Sequence, residues 1–229
     1  MHITLTGNLG SGKSTLGKIL AEKYGYEIYS TGTVIRKIAE EQGVSVLEMN
    51  KLMESDSKYD HMIDDTTARI SREMKEKNIL FDSRLAWHFV EESFKVFLSV
   101  NINEAARRVY ADASRGDVES YASVEECAAR LTERAQTEDR RYRELYNIEY
   151  FDYSNYNLVL DSCETPEVLA KVLVTEAKRF EEETKKGLAH KTRIVMGKNR
   201  PEKDFEKERA NGKTYVSMIC GKDFVVTEL

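Results

Sequence analysis

The residues of this chain best equipped for chemistry are Gly7-Asn8-Leu9-Gly10-Ser11-Gly12-Lys13-Ser14-Thr15, which fit the pattern G-x-x-x-x-G-K-[ST]. The chemistry would be the holding of a polyphosphate. Gly7, Gly10 and Gly12 let the backbone turn its N–H groups inward around anionic oxygens, Ser11 among them. A helix starting after Gly12 adds the positive end of its dipole to that field. Lys13 reaches the β- and γ-phosphates, and Ser14, followed by Thr15, is placed to ligate Mg²⁺. Such a cradle establishes nucleotide binding and leaves its purpose open.

Three further groups bear on that purpose. A strand-like run ends in Asp82, followed by Ser83 and Arg84. A carboxylate at a strand end beside a phosphate loop is where Mg²⁺ or its waters are held, and an arginine two residues on can reach a second phosphate. The plainer alternative is that Asp82 caps a helix and Arg84 pairs on the surface. A second strand ends in Tyr29-Ser30-Thr31-Gly32, with Arg36 one helical turn further. Ligands in open α/β sheets sit at such ends, although a helix cap and a solvated arginine use the same residues. Finally, Arg134, Glu138 and Arg141 lie at i, i+4 and i+7, on one helical face spanning ~10 Å, flanked by Arg140 and Arg143. Phosphoryl transfer needs positive charge over the moving group. Charged helical faces also occur merely because they are solvated.

These residues need a frame. Short apolar runs at 3–6, 27–30, 78–82, 95–100 and 157–161 alternate with helical patterns at 13–24, 33–41, 46–77, 103–113, 124–145 and from Pro166 to about residue 185. Strands that are uniformly apolar and separated by helices predict a parallel sheet covered on both faces, an α/β fold. After Gly187 the character changes. Residues 192–196, 214–219 and 223–228 are β-rich, the last two flank Cys220-Gly221-Lys222 as a hairpin, and 201–209 reads as a charged helix. The expected organisation is a domain over 1–187 and a small β-rich extension over 188–229.

Composition narrows the class. Of 229 residues 33% are charged and only 2 are proline, which argues against long disorder. No apolar run approaches the ~18 residues of a membrane span, and the start lacks a signal-peptide pattern. Three scattered cysteines suit a reducing cytoplasm and small packed side chains better than disulfides or zinc. The net charge of −5 is uneven: from Gly187 onward nine basic and six acidic residues give +3, leaving −8 for the rest. An acidic body does not predict nucleic-acid binding.

Taken together, these residues resemble the nucleoside monophosphate kinases, and within them the shorter, archaeal-type cytidylate kinases. Tyr29-Ser30-Thr31-Gly32 with Arg36 is similar to that family's acceptor segment, Phe81-Asp82-Ser83-Arg84-Leu85-Ala86 to its strand-end segment, and Arg134 through Glu149 to its lid helix. The resemblance covers roughly residues 1–177. It implies a P-loop kinase fold with a five-stranded parallel sheet in the order 2-3-1-4-5, ATP and Mg²⁺ on the donor side, and CMP or dCMP as acceptor. By the same resemblance Ser30, Gly32, Arg36 and Arg84 hold the acceptor, and Lys13, Arg134 and Arg141 are catalytic. Gly7, Gly10, Ser11, Gly12, Lys13, Ser14, Thr15 and Arg108 bind ATP, Ser14 and Asp82 the metal, and Asp60 and Asp64 face the acceptor base. Ser83 departs from the family's glycine, and the segment beyond Gly187 has no counterpart in its core. Two alternatives stay open: a kinase for AMP, UMP or a shikimate-like acceptor, or a nucleotide-binding regulator without transfer. No guanine-binding Asn-Lys-x-Asp or transport-ATPase Leu-Ser-Gly-Gly-Gln motif is present. A monomer and a homodimer are equally compatible with the sequence. The extension is expected to pack on the body or on a second copy, or else to bind a partner.

Overall fold

The computed structural model describes residues 1–229 except 46, 47, 50, 51, 53–57, 113–120, 163, 201 and 202. Most of the predicted helical stretch from 46 to 57, Ala113, Cys163 and Pro201 therefore lie outside the described residues, as does the side chain of Asp60.

The chain runs β1 (His2–Gly7), α1 (Lys13–Tyr24), β2 (Glu27–Ser30), α2 (Thr31–Gln42), α3 (Lys58–Glu73), β3 (Ile79–Asp82), α4 (Ala86–Phe89), β4 (Ser93–Ser99), α5 (Ile102–Ala111), α6 (Val124–Tyr146), β5 (Leu158–Asp161) and α7 (Pro166–Lys185). It continues with β6 (Arg193–Gly197), α8 (Glu206–Asn211), β7 (Lys213–Ile219) and β8 (Lys222–Glu228). The strands form one sheet in the order β2-β3-β1-β4-β5-β6-β8-β7. The first five are parallel in the expected 2-3-1-4-5 order. Every residue of β1 and of β5 is buried, because helices cover both faces. On one face Ile3, Leu5, Leu80 and Leu160 pack with Leu16 and Leu20 of α1 and Leu169 and Leu173 of α7. On the other, Ile79 and Phe81 pack with Val34 and Ile38 of α2, and Phe97 and Val159 pack with Tyr150 and Tyr156.

Local chemistry sets the helix starts. The Ser30 side chain accepts from the Thr33 N–H (3.2 Å), so α2 begins at Thr31, two residues before the predicted start. Ser123 accepts from the Glu126 N–H (3.1 Å) to open α6. Pro166 follows Thr165 at the first position of α7, as predicted, where its missing N–H costs nothing.

The segment after Gly187 continues the sheet. β6 adds to β5 in parallel, with α7 as the crossover, and β8 and β7 follow in antiparallel pairing. The β7–β8 loop is Cys220-Gly221, both with positive φ (52° and 78°), the two-residue turn that matches strand twist. Position 220 is therefore exposed, against the expectation of a packed cysteine, whereas Cys127 is buried. Side chains lock the segment in place. Arg193 is buried and donates to Glu176 of α7 (2.8 Å), to Glu228 of β8 (2.7 Å) and to the Tyr215 hydroxyl of β7 (2.6 Å). Arg200 donates to Asp161 at the end of β5 (2.7 Å), and Phe205 joins the cluster of Tyr153 and Phe97.

Candidate active site

The candidate residues collect at the C-terminal ends of β1 and β3. At Gly7 the chain leaves β1 with φ +144°, and a Cβ there would lie 2.1 Å from the Leu98 carbonyl oxygen of β4. Only glycine permits that exit. The Asn8 side chain accepts from the Val100 N–H (3.1 Å), and Gly10 (φ +73°) is pressed against the backbone of Ala105 in α5. The loop is thus held between β4 and α5 before any ligand arrives. Helix α1 starts directly after Gly12 with no side-chain cap, which leaves its first N–H groups for an anion. The Ser11 hydroxyl is buried and has no hydrogen-bond partner among the described residues. Together these features fit a polyphosphate.

Lys13 Nζ donates to the carbonyl oxygens of Gly7 (3.1 Å) and Asn8 (3.0 Å), so the ammonium is folded over the loop. Burial, with help from the Arg84 charge, lowers its pKa from 10.5 to about 8, against the opposing pull of Asp82 and Glu138. Ser14 and Thr15 stand exposed on the first turn of α1. Burial raises the Asp82 carboxyl, opposed by the charges of Lys13 and Arg84. Asp82 caps no helix, since α4 begins at Ala86 after Leu85. A hydroxyl and a carboxylate form an oxygen donor set of the kind Mg²⁺ takes.

Arg84 is partly buried. It donates to the Gly7 carbonyl oxygen (3.1 Å) and lies 3.4 Å from Glu138 of α6. Burial lowers its pKa, but Tyr150 and Glu138 outweigh that effect and the net shift is upward. Arg134 donates to the other Glu138 oxygen (3.1 Å), so one carboxylate bridges the two arginines. Arg141, exposed on the same helix, lines a cavity of about 150 Å³ with Arg84, Asp64, Tyr142 and Tyr146. Tyr146 donates to Asp64 there (2.6 Å).

The remaining sequence candidates flank this cluster: Ser30 pairs with Asp82 across β2 and β3, and Thr31 beside it lines the cavity. Ser30 caps α2, Gly32 is exposed, and Arg36 is exposed with its guanidinium on the Thr33 hydroxyl (3.2 Å). None of the three lines the 150 Å³ cavity. Arg108 sits on the opposite flank of the loop, donating to Glu104 (2.9 Å) and to the hydroxyl (3.1 Å) and carbonyl (2.8 Å) of Ser162. One residue that sequence reading left without a role stands out. The buried Tyr150 hydroxyl lies 2.7 Å from the Thr6 hydroxyl and donates to the Gly7 carbonyl oxygen (3.3 Å). Its partners are more than 140 residues away, and no local pattern marks such a contact.

The model of the cytidylate kinase-like family matches residues 2–164 of this chain. The chain belongs to the cytidylate kinase-like family. Its relatives include a cytidylate kinase of Methanocella arvoryzae, 35% identical over 162 residues, which cover 71% of this chain and 87% of the relative. A cytidylate kinase of Natronomonas pharaonis is 38% identical over 167 residues, covering 71% and 81%. One of Methanobrevibacter smithii is 30% identical over 179 residues, covering 78% and 99%. Among solved structures, a shikimate kinase from Bacteroides thetaiotaomicron superposes with a TM-score of 0.52 at 16% identity, covering 81% of this chain and 98% of that one. At that identity the likeness speaks for the fold alone, which is that of the P-loop kinases. The family match ends at residue 164, before β6. Among the described residues no helix is long and apolar enough to cross a membrane.

Proposed function

We propose that the protein transfers the γ-phosphoryl group of ATP to CMP or dCMP, yielding ADP and CDP or dCDP. The observation that carries this is the convergence of Lys13, Arg84 and Arg134, tied through Gly7 and Glu138, between the phosphate loop and the cavity lined by Arg84 and Arg141. A phosphoryl group passing from the loop into that cavity crosses positive charge fixed in advance. The relatives' names point to cytidylate as the acceptor.

In this reading the backbone of residues 7–15 and Lys13 hold the donor phosphates. Ser14 and Asp82 would hold Mg²⁺, which when bound offsets charge on the β- and γ-phosphate oxygens. Arg84 fixes the acceptor phosphate, with Ser30, Gly32 and Arg36 at its outer edge and Asp64 toward its base. An acceptor phosphate oxygen, already anionic at pH 7, forms the new P–O bond, and the bond to the β–γ bridging oxygen breaks to release ADP. No protein base is needed. Arg134 and Arg141 shift onto the transferring group, and Glu138, which holds Arg134 beside Arg84, gives Arg134 up as they do. The cavity beside Arg84, about 150 Å³, is smaller than the ~300–1,000 Å³ of ligand pockets, and in this reading α6 opens to admit the nucleotide and closes over it to exclude water.

A coupled assay of ADP release with CMP, dCMP, UMP, AMP and shikimate tests the proposal. Fastest turnover with CMP or dCMP is expected. Activity confined to another acceptor would overturn the cytidine assignment, and ATP binding without transfer to any acceptor would leave a nucleotide-binding regulator.

A further inference from the structure

The phosphate loop has a second cavity on its other flank, of about 760 Å³. It begins at Val100 and Glu104, beside the loop contacts of Asn8 and Gly10, and passes Arg108 and Ser162. Its far wall is the C-terminal segment: Gly197, Lys198, Asn199 and Arg200, with Lys222 and Asp223. A nucleoside triphosphate with its phosphates in the loop must send its nucleoside to one flank or the other. The Arg84 flank offers about 150 Å³, and this flank has a volume within the ~300–1,000 Å³ range of ligand pockets.

The sheet puts the segment there for a structural reason. Because β6 pairs in parallel with β5 (Leu160 opposite Val195), its C-terminal end at Gly197 emerges beside Asp161 and Ser162, at the edge where open parallel sheets take ligands. The chain then reverses in a turn closed by the Arg200 N–H on the Gly197 carbonyl (3.2 Å). Arg200 is anchored to the buried Asp161 (2.7 Å), and the rim is tied by Lys198 to Asp223 (3.2 Å) and Lys222 to Glu164 (2.8 Å). Asn199 stands exposed at the tip of this fixed turn, with an amide that can both donate and accept.

Resting on the kinase reading above, we propose that the turn 197–200 belongs to the donor site, where Asn199 hydrogen-bonds the edge of the donor's base and so sets which nucleoside triphosphate is used. The segment absent from the family match is then a specificity wall for the donor and not a separate module.

The test uses the full chain and two variants, Asn199→Ala and the isosteric Asn199→Asp, which keeps the turn and removes the NH₂ donors. Titration calorimetry gives Kd for ADP, GDP and CMP with Mg²⁺ present, and Tm confirms folding. Loss of one hydrogen bond predicts a rise of about threefold to tenfold in the ADP Kd and a changed ADP-to-GDP preference, with the CMP Kd constant. An unchanged ADP Kd and preference in both folded variants would overturn the assignment. If the predicted shifts occur but the wild type transfers nothing to CMP, the kinase reading fails while the donor wall stands. A wild type that binds no ADP sinks both.

Discussion

Strands β1 and β5 are buried along their whole length, whereas β7, at the free edge of the same sheet, alternates and exposes Val216 and Met218. The two regions share one apolar core, and the second adds a charged joint to it. In the first, the sheet is sealed by leucines and isoleucines of α1 and α7, each contributing ~1.5–3 kcal/mol when fully buried. In the second, Val195, Phe224 and Val226 join that same apolar core, and an ionic joint is added to it: the Arg193 guanidinium sits between Glu176 of α7 and Glu228 of β8. The first region bears the phosphate loop and the arginine cluster, and the second touches that chemistry only along the donor flank. A site can thus be extended by adding strands at a sheet edge without altering the strands that carry it.

The sharpest way to break this contrast is at Arg193. Arg193→Ala leaves the buried Glu176 with Arg179 alone and the part-buried Glu228 with the Tyr215 hydroxyl alone, and unfolding in urea should show a loss of ~1–3 kcal/mol. Replacing both partners, Arg193→Met with Glu176→Leu, should recover much of it. A loss below ~1 kcal/mol in the single variant would mean that apolar burial alone holds the segment.

Arg141→Ala probes the opposite behaviour, function without stability. Turnover should fall by ~10²–10³ while Tm stays put, since the side chain is exposed. Near-normal turnover would remove Arg141 from the clamp.

A smaller effect follows from Lys13, whose pKa burial and the Arg84 charge lower to about 8. Donor phosphates need the ammonium, so ATP affinity should weaken as pH rises through 8, by about tenfold one unit above it. Calorimetry in two buffers should find proton uptake on ATP binding at pH 8 that vanishes near pH 6. The sign for stability is the reverse. A lysine depressed below its usual 10.5 binds fewer protons folded than unfolded between pH 8 and 10.5, so the ligand-free fold gains stability from it as pH rises there. ATP affinity flat from pH 7 to 9 would contradict this placement of Lys13.

The least effect belongs to Ser123→Ala, which removes the cap of α6 and should cost ~1 kcal/mol by thermal unfolding. A cost near zero would show that α6 is positioned by its packing alone.

Much of this was legible in the sequence because it is local. The loop from Gly7 to Thr15, the buried strands, the start of α7 at Pro166 and the hairpin at Cys220-Gly221 each announce themselves within a few residues. The spacing of Arg134 and Glu138 likewise foretold their contact. What was not legible depends on pairing at a distance. That β6 would extend β5, that Arg193 would be buried between α7 and β8, and that Tyr150 would brace Thr6 and Gly7 rest on long-range contacts without periodicity. The role of Ser30 as a helix cap was foreseen only as an alternative, since capping and ligand binding use the same hydroxyl.

The most direct measurement follows the products themselves. The full chain is incubated with ATP, Mg²⁺ and CMP, and the nucleotides are separated by anion exchange. Phosphoryl transfer predicts CDP and ADP rising in equal amounts, with neither formed when CMP is left out. ADP appearing without CDP, or no ADP at all in a protein that binds ATP, would contradict it.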